Sequence, residues 1–159
     1  MKYLMTACVA ALFLAACDNS RVYEQVVDFQ QRRWIVTEKP KFDFVIEDTS
    51  ERYNLYGYIR NAVSYPYSRV FFTFYLQDST GREIEKKLMT EFLFDAKTGK
   101  PFGKSGIGDL YDHQFLLLQD YQFITAGKYH LELEQFMRQD TLPGILAVGV
   151  RVEKAKAAN

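Results

Sequence analysis

Lys128-Tyr129-His130-Leu131-Glu132-Leu133-Glu134 decides the fold class. Tyr129, Leu131 and Leu133 fall on one parity, His130, Glu132 and Glu134 on the other. Strict alternation is the pattern of a β-strand with one face packed and one face wet, because successive side chains leave a strand on opposite sides. The same pattern recurs in both directions along the chain. Downstream, Ile145 to Glu153 points Leu146, Val148, Val150 and Val152 inward, after a break at Leu142-Pro143-Gly144. Upstream, Phe42, Phe44 and Ile46 alternate with Asp43, Val45 and Glu47. Tyr53 to Val63 sets Leu55, Gly57 and Ile59 against Asn54, Tyr56, Tyr58 and Arg60, and Arg69 to Gln77 points Val70, Phe72, Phe74 and Leu76 to one side. Ser64-Tyr65-Pro66-Tyr67-Ser68 separates these last two strands, since proline cannot donate to a ladder.

Asp78-Ser79-Thr80-Gly81 is a hairpin signal. It leads into a return strand from Glu83 to Phe94 in which Ile84, Leu88 and Phe92 share a parity. Residues 95–109 hold Gly99, Gly103, Gly106 and Gly108 and read as a long ordered loop. Gln114 to Phe123 is a further strand. Short helical turns near Tyr111 and Phe136 are compatible with the pattern, but no stretch makes an amphipathic helix. The expected fold is all-β: a single antiparallel β-sandwich of seven or eight strands, spanning residues 41–154, with a frayed tail at 155–159.

The first seventeen residues follow different physics. Lys2 precedes an apolar run from Leu4 to Ala16, and Leu14-Ala15-Ala16-Cys17 then gives way at once to Asp18-Asn19-Ser20-Arg21. An apolar core of about thirteen residues fits a signal peptide and is short of the roughly 20 that span a bilayer. A cysteine at the cleavage point marks a lipoprotein signal, with residues 1–16 removed and Cys17 lipidated. Cys8 leaves with the leader, so Cys17 is the one cysteine of the mature chain, and no internal disulfide can form. Residues 17–40 are expected to be the lipidated cysteine and a tether. Within them Val22 to Phe29 reads as a short strand or a loose turn, and Trp34 as a possible start of the folded body. The expected location is the cell envelope, at a membrane facing the periplasm, the outer rather than the inner.

Twenty basic and twenty acidic side chains cancel, so nothing marks a nucleic-acid binder. Catalytic constellations are equally scarce, and no cofactor or metal is expected. Asp109, Asp112 and His113 sit too close along one segment to converge readily on an ion that wants three or four ligands. His130, Glu132 and Glu134 share an outward strand face; carboxylates at i and i+2 overlap a glycosidase spacing but read more simply as a solvated surface. Tyr53, Tyr56, Tyr58, Tyr65 and Tyr67 cluster in fifteen residues. Outward tyrosines suit protein contacts or sugar stacking, which keeps a cell-envelope glycan-binding module as the alternative function.

The chain resembles the gliding-motility lipoproteins called GldH, of Bacteroidetes bacteria. The resemblance rests on Cys17-Asp18-Asn19-Ser20-Arg21-Val22-Tyr23, Tyr53-Asn54-Leu55, Arg60-Asn61, Tyr65-Pro66-Tyr67-Ser68 and Gly106-Ile107-Gly108-Asp109-Leu110. It continues through Glu134-Gln135-Phe136-Met137-Arg138, Leu142-Pro143-Gly144-Ile145 and Val148-Gly149-Val150-Arg151-Val152-Glu153. Lys104-Ser105 departs from the bulkier or aromatic residue the family pattern implies. The resemblance implies a non-enzymatic envelope lipoprotein, an accessory or assembly factor of gliding and of the linked secretion apparatus. Its partners would be the membrane, through Cys17, and envelope proteins of that machinery. Candidate partner-binding residues are Gly106, Gly108, Asp109, Tyr56, Tyr58, Tyr65 and Tyr67.

Overall fold

The computed structural model describes residues 20–156. The leader, Cys17 and residues 157–159 lie outside the described residues. The described chain forms eleven strands: β1 (Arg21–Asp28), β2 (Arg33–Ile35), β3 (Lys41–Ile46), β4 (Tyr53–Ala62), β5 (Arg69–Asp78), β6 (Glu83–Phe92), β7 (Lys104–Ser105), β8 (Leu110–Tyr121), β9 (Gly127–Gln135), β10 (Thr141–Pro143) and β11 (Ile145–Lys154). All pair antiparallel, in two main sheets of order β1-β11-β4-β8-β7 and β3-β9-β5-β6, with a small β10-β2 ribbon. The sheets pack face to face as a sandwich. The expectation of seven or eight strands was low because the additional ones are short or lie at an edge.

The core is built from the parities that alternation predicts. Leu55 and Ile59 of β4 and Val148, Val150 and Val152 of β11 face Phe42, Phe44 and Ile46 of β3. Val70, Phe72, Phe74 and Leu76 of β5 and Leu131 and Leu133 of β9 complete it, and all are buried. Leu146 is only half-buried, because a register shift between Ile145 and Ala147 turns Ile145 inward instead. An aromatic cluster closes one end: Phe123 touches Tyr53, Tyr121 and Tyr129 at ring separations of 5.5, 4.9 and 4.5 Å. Gly57 serves a different purpose. A Cβ there would lie 2.2 Å from the Phe115 ring, so glycine lets that ring lie against β4 and reach Phe72 across the sandwich at 5.3 Å.

The folded body begins earlier than residue 41. β1 pairs with β11 from Arg21↔Glu153 to Asp28↔Ala147. Phe29 and Trp34 are buried and stacked at 5.3 Å. The Trp34 indole N–H donates to the Glu38 carbonyl at 2.8 Å, and Trp34 sits opposite buried Leu142 in the ribbon. Residues 21–40, expected as tether, are therefore structure. Between β1 and β2 lies the one helical element among the described residues, a 3-10 turn at Gln30–Arg32; Tyr111 is in β8 and Phe136 follows β9. The 95–109 segment is also more ordered than a loop: Phe94 bridges Pro101, and β7 pairs with Tyr111 and Asp112.

Strand directions give the sandwich two distinct ends. The β3–β4, β5–β6 and β8–β9 connections gather where β1 begins and β11 finishes. The β4–β5, β7–β8, β9–β10 and β10–β11 connections gather at the other. At about 3.3 Å per residue, the length of β4 separates the two ends by about 30 Å. Among the described residues no helix is long and apolar enough to cross a membrane.

Candidate functional site

The far end, remote from Arg21, collects most of the residues singled out from the sequence. Val63 N–H donates to the Asp109 carbonyl at 2.8 Å, and Ala62 N–H to the Gly144 carbonyl at 2.8 Å. Gly106 N–H closes its hairpin on the Leu110 carbonyl at 2.9 Å. Gly108 takes a φ of 72° at the turn, a conformation glycine adopts without steric penalty. Gly144, at φ 85°, lies so close to the Tyr65 backbone that a Cβ would be 3.0 Å from the Tyr65 Cα. Three segments distant in sequence are thus tied together: 63–68, 106–110 and the 144 turn.

Tyr65 is the interior member of this knot. It is 4% exposed, donates its hydroxyl to the Arg69 carbonyl at 3.1 Å and packs edge-on against Tyr67 at 5.5 Å. Burial pushes its phenol pKa well above the ordinary value. It positions the turn and offers no ring to a partner, and buried Tyr53 offers none either. Tyr67, by contrast, lines an apolar groove of about 520 Å³ with Phe71, Leu88, Phe136, Met137 and Arg138. Phe136 is 62% and Leu88 52% exposed. At the tip of the glycine hairpin Ile107 is 95% exposed.

Tyr56 and Tyr58 occupy the outer face of the first sheet, as parity predicts, and both are half-buried. The Tyr58 hydroxyl donates to Asp112 Oδ1 at 2.6 Å, and the Arg60 guanidinium grips both Asp112 oxygens at 2.7 and 3.0 Å. Burial, with the adjacent Asp112 carboxylate, raises the Tyr58 pKa. The hydrogen bond from Arg60 holds the Asp112 carboxyl below the usual carboxylate range. This arrangement fixes the outer face rather than splaying rings for sugar stacking, and it leaves the five tyrosines distributed among core, end and face.

The acid clusters do not converge. Asp112 turns outward to Arg60, while His113, its strand neighbour, is buried on the inner side, where burial lowers its pKa. Among the described residues no group of three or more potential ligands could hold a metal. His130 contacts Asp43 at 2.6 Å, Glu132 pairs with Lys41 at 3.3 Å, and Glu134 takes Lys39 and the Tyr75 hydroxyl, both at 2.7 Å. Those hydrogen bonds lower the Glu134 pKa and push the Tyr75 phenol up to about 12. Each carboxylate has a partner of its own, and the face is a charge-matched surface.

One region joins residues singled out from the sequence with others that carry no sequence signal. β6 is the edge of one sheet, and β8 lies on the same flank of the other, covered at its edge only by the two-residue β7. Between them opens a cleft of about 540 Å³ lined by Glu91, Phe102, Lys104, His113 and Phe115 and reaching Tyr56, Tyr58 and Asp112. His113 Nε2 has no hydrogen-bond partner there, and burial raises the Glu91 pKa. These residues come from β4, β6, β7, β8 and the 95–109 segment, and only the pairing order brings them together.

A model of the family described as GldH lipoprotein matches residues 21–152. The chain is 27% identical over 151 residues to a gliding motility lipoprotein GldH homolog of Christiangramia forsetii, covering 91% of this chain and 90% of that one. It is 26% identical over 153 residues to the gliding motility lipoprotein GldH of Flavobacterium johnsoniae, covering 92% of each. Among solved structures, the infectious bursal disease virus VP2 subviral particle gives a TM-score of 0.38 at 11% identity, over 89% of this chain and 32% of that chain. Dimeric latent PorU from Porphyromonas gingivalis gives 0.37 at 9% identity, over 88% of this chain and 14% of that chain. The match to the family model begins at the first residue of β1 and ends within β11, so it takes in the whole sandwich, and the chain belongs to the GldH lipoprotein family.

Proposed function

We propose that Cys17 is lipidated and holds the sandwich on an envelope membrane, the outer one, facing the periplasm. The anchored domain is a non-enzymatic accessory or assembly factor of gliding motility and of the secretion apparatus linked to it. It binds envelope proteins through its far end. The relatives named as gliding motility lipoproteins support the process. The observation that carries the mode of action is the far end itself: a rigid knot of three segments, flanked by the exposed Phe136, Leu88 and Ile107, about 30 Å from where the chain enters. Exposed apolar surface on a braced scaffold is the character of a protein-docking site. Gly106, Gly108 and Asp109 shape the hairpin, and Tyr67 lines the groove; Tyr56 and Tyr58 belong to the adjoining outer face.

The test is genetic complementation in the source organism. A deletion strain should lose colony spreading and secretion. The wild-type gene should restore both, a Cys17→Ala variant should not, and a Phe136→Ser/Leu88→Ser variant should reach the outer-membrane fraction yet fail to restore spreading. Normal spreading and secretion in the deletion strain would overturn the reading.

A further inference from the structure

The described chain starts at a fixed point. Lys154 N–H donates to the Ser20 carbonyl at 2.7 Å, so Ser20 already belongs to the body. Three peptide steps separate it from Cys17, a reach of at most about 11 Å. The headgroup layer of one leaflet is itself about 5–8 Å deep. A lipidated Cys17 therefore holds the sandwich against the bilayer and leaves no room for a long stalk.

The chain enters at the end that also carries the 47–52, 79–82 and 122–126 connections. The first and last of these are knitted to each other and to the ends of β8 and β11: Ala155 N–H donates to the Arg52 carbonyl at 2.7 Å, Arg52 Nη1 to the Asp120 carbonyl at 2.8 Å, and the Gln122 side-chain amide to the Thr49 carbonyl at 3.4 Å. From this braced surface Ile124 projects with 92% of its area exposed. Its base is rigid, because Phe123 is buried among Tyr53, Tyr121 and Tyr129, and the Tyr129 hydroxyl donates to the Thr125 carbonyl at 2.6 Å. The surrounding charge is balanced, with Arg82 on Asp78, Arg52 on Asp120 and Lys154 on Glu51. Such a surface neither requires nor repels anionic lipid.

We propose that the entry end of the sandwich rests on the bilayer and that the 122–126 loop enters the lipid interface at Ile124, directing the far end away from the membrane. One isoleucine would not recruit a soluble protein. Here the acyl chains make the contact intramolecular, so a small favourable contact is enough to bias orientation. The inference rests on lipidation at Cys17.

The experiment uses the full lipidated protein with one added thiol at Ile124→Cys, Ile107→Cys or Val26→Cys. Lipidation consumes the Cys17 thiol, so each variant carries a single reactive cysteine. Each is labelled with an environment-sensitive fluorophore and reconstituted into phosphatidylcholine vesicles with or without a spin-labelled lipid quencher. The expected result is strong quenching at 124, at least threefold more than at 107, which sits at the far end, and more than at 26, on the β1 edge. Stronger quenching at 26 or 107, or none at 124 in protein that floats with the vesicles, overturns the orientation while leaving the anchor intact. Protein that fails to float at all overturns the anchor, and this inference with it.

Discussion

Replacing Trp34 with alanine separates a tether from a folded body. Trp34 is fully buried, stacks on Phe29 at 5.3 Å and donates its indole N–H to the Glu38 carbonyl. Truncating a buried tryptophan costs about 3–5 kcal/mol in lost transfer energy and cavity formation. The lost ring stack adds about 0.5–1.5 kcal/mol. The Glu38 carbonyl also loses its donor, at a further cost of about 1 kcal/mol if water cannot replace it. These contributions overlap, and about 4 kcal/mol is a fair expectation for Trp34→Ala. Trp34→Phe keeps a ring against Phe29 and should cost roughly half as much. The assay is urea unfolding followed by far-UV circular dichroism. With an m-value of about 2 kcal/mol/M, Trp34→Ala should lower the midpoint by about 2 M. Because Trp34 is the single tryptophan, wild-type fluorescence excited beyond the tyrosine absorption band reports the β2–β10 ribbon alone. Its transition should coincide with the dichroism if ribbon and sandwich unfold together. A loss below 1 kcal/mol, or a fluorescence transition well before the dichroism, would refute the assignment of residues 29–38 to the core.

Two further substitutions probe the first sheet. Gly57→Ala forces the Phe115 ring off β4 and should cost about 1–3 kcal/mol; in a Phe115→Ala background the same change should be close to neutral, which a double-mutant cycle in denaturant reads directly. Asp112 has its pKa depressed in the folded state by Arg60 and Tyr58, so its contribution is present above the unfolded value near pH 4 and is lost as pH falls through the folded one. Asp112→Asn should therefore cost about 1 kcal/mol at pH 6–7, the site being partly solvated, and the gap from wild type should narrow below pH 4; a gap constant from pH 7 to pH 3 would contradict the pairing.

The strands that were legible in the sequence are those with one face in the core and one in water. β3, β4, β5 and β9 alternate because each has a buried side, and their parities survive in the structure. β1 was ambiguous for the opposite reason. As an edge strand it half-buries only Tyr23 and Val27, which gives no clean period. β6 shows a different failure. It lies at the other sheet's edge, and its apolar residues Leu88 and Phe92 face solvent, where they serve the far-end groove and a stack under Arg69 at 4.8 Å. β2, β7 and β10 are too short for any period. At the candidate site, parity placed Tyr56 and Tyr58 correctly. The burial of Tyr65 was illegible because it depends on Gly144, seventy-nine positions away, just as the flank cleft depends on the pairing order of β6 and β8.

The β1–β11 ladder has a mechanical consequence. An anchor before Ser20 and a load on the far end would pull β1 along its own axis, away from β11. Hydrogen bonds perpendicular to that axis are then strained together, from Arg21↔Glu153 through Asp28↔Ala147, in shear rather than one after another as in a zipper. Detachment requires the whole ladder to slip at once. With the proposed anchor in place, this edge strand would act as a tensile clamp, suited to a domain that must stay attached while something moves past it.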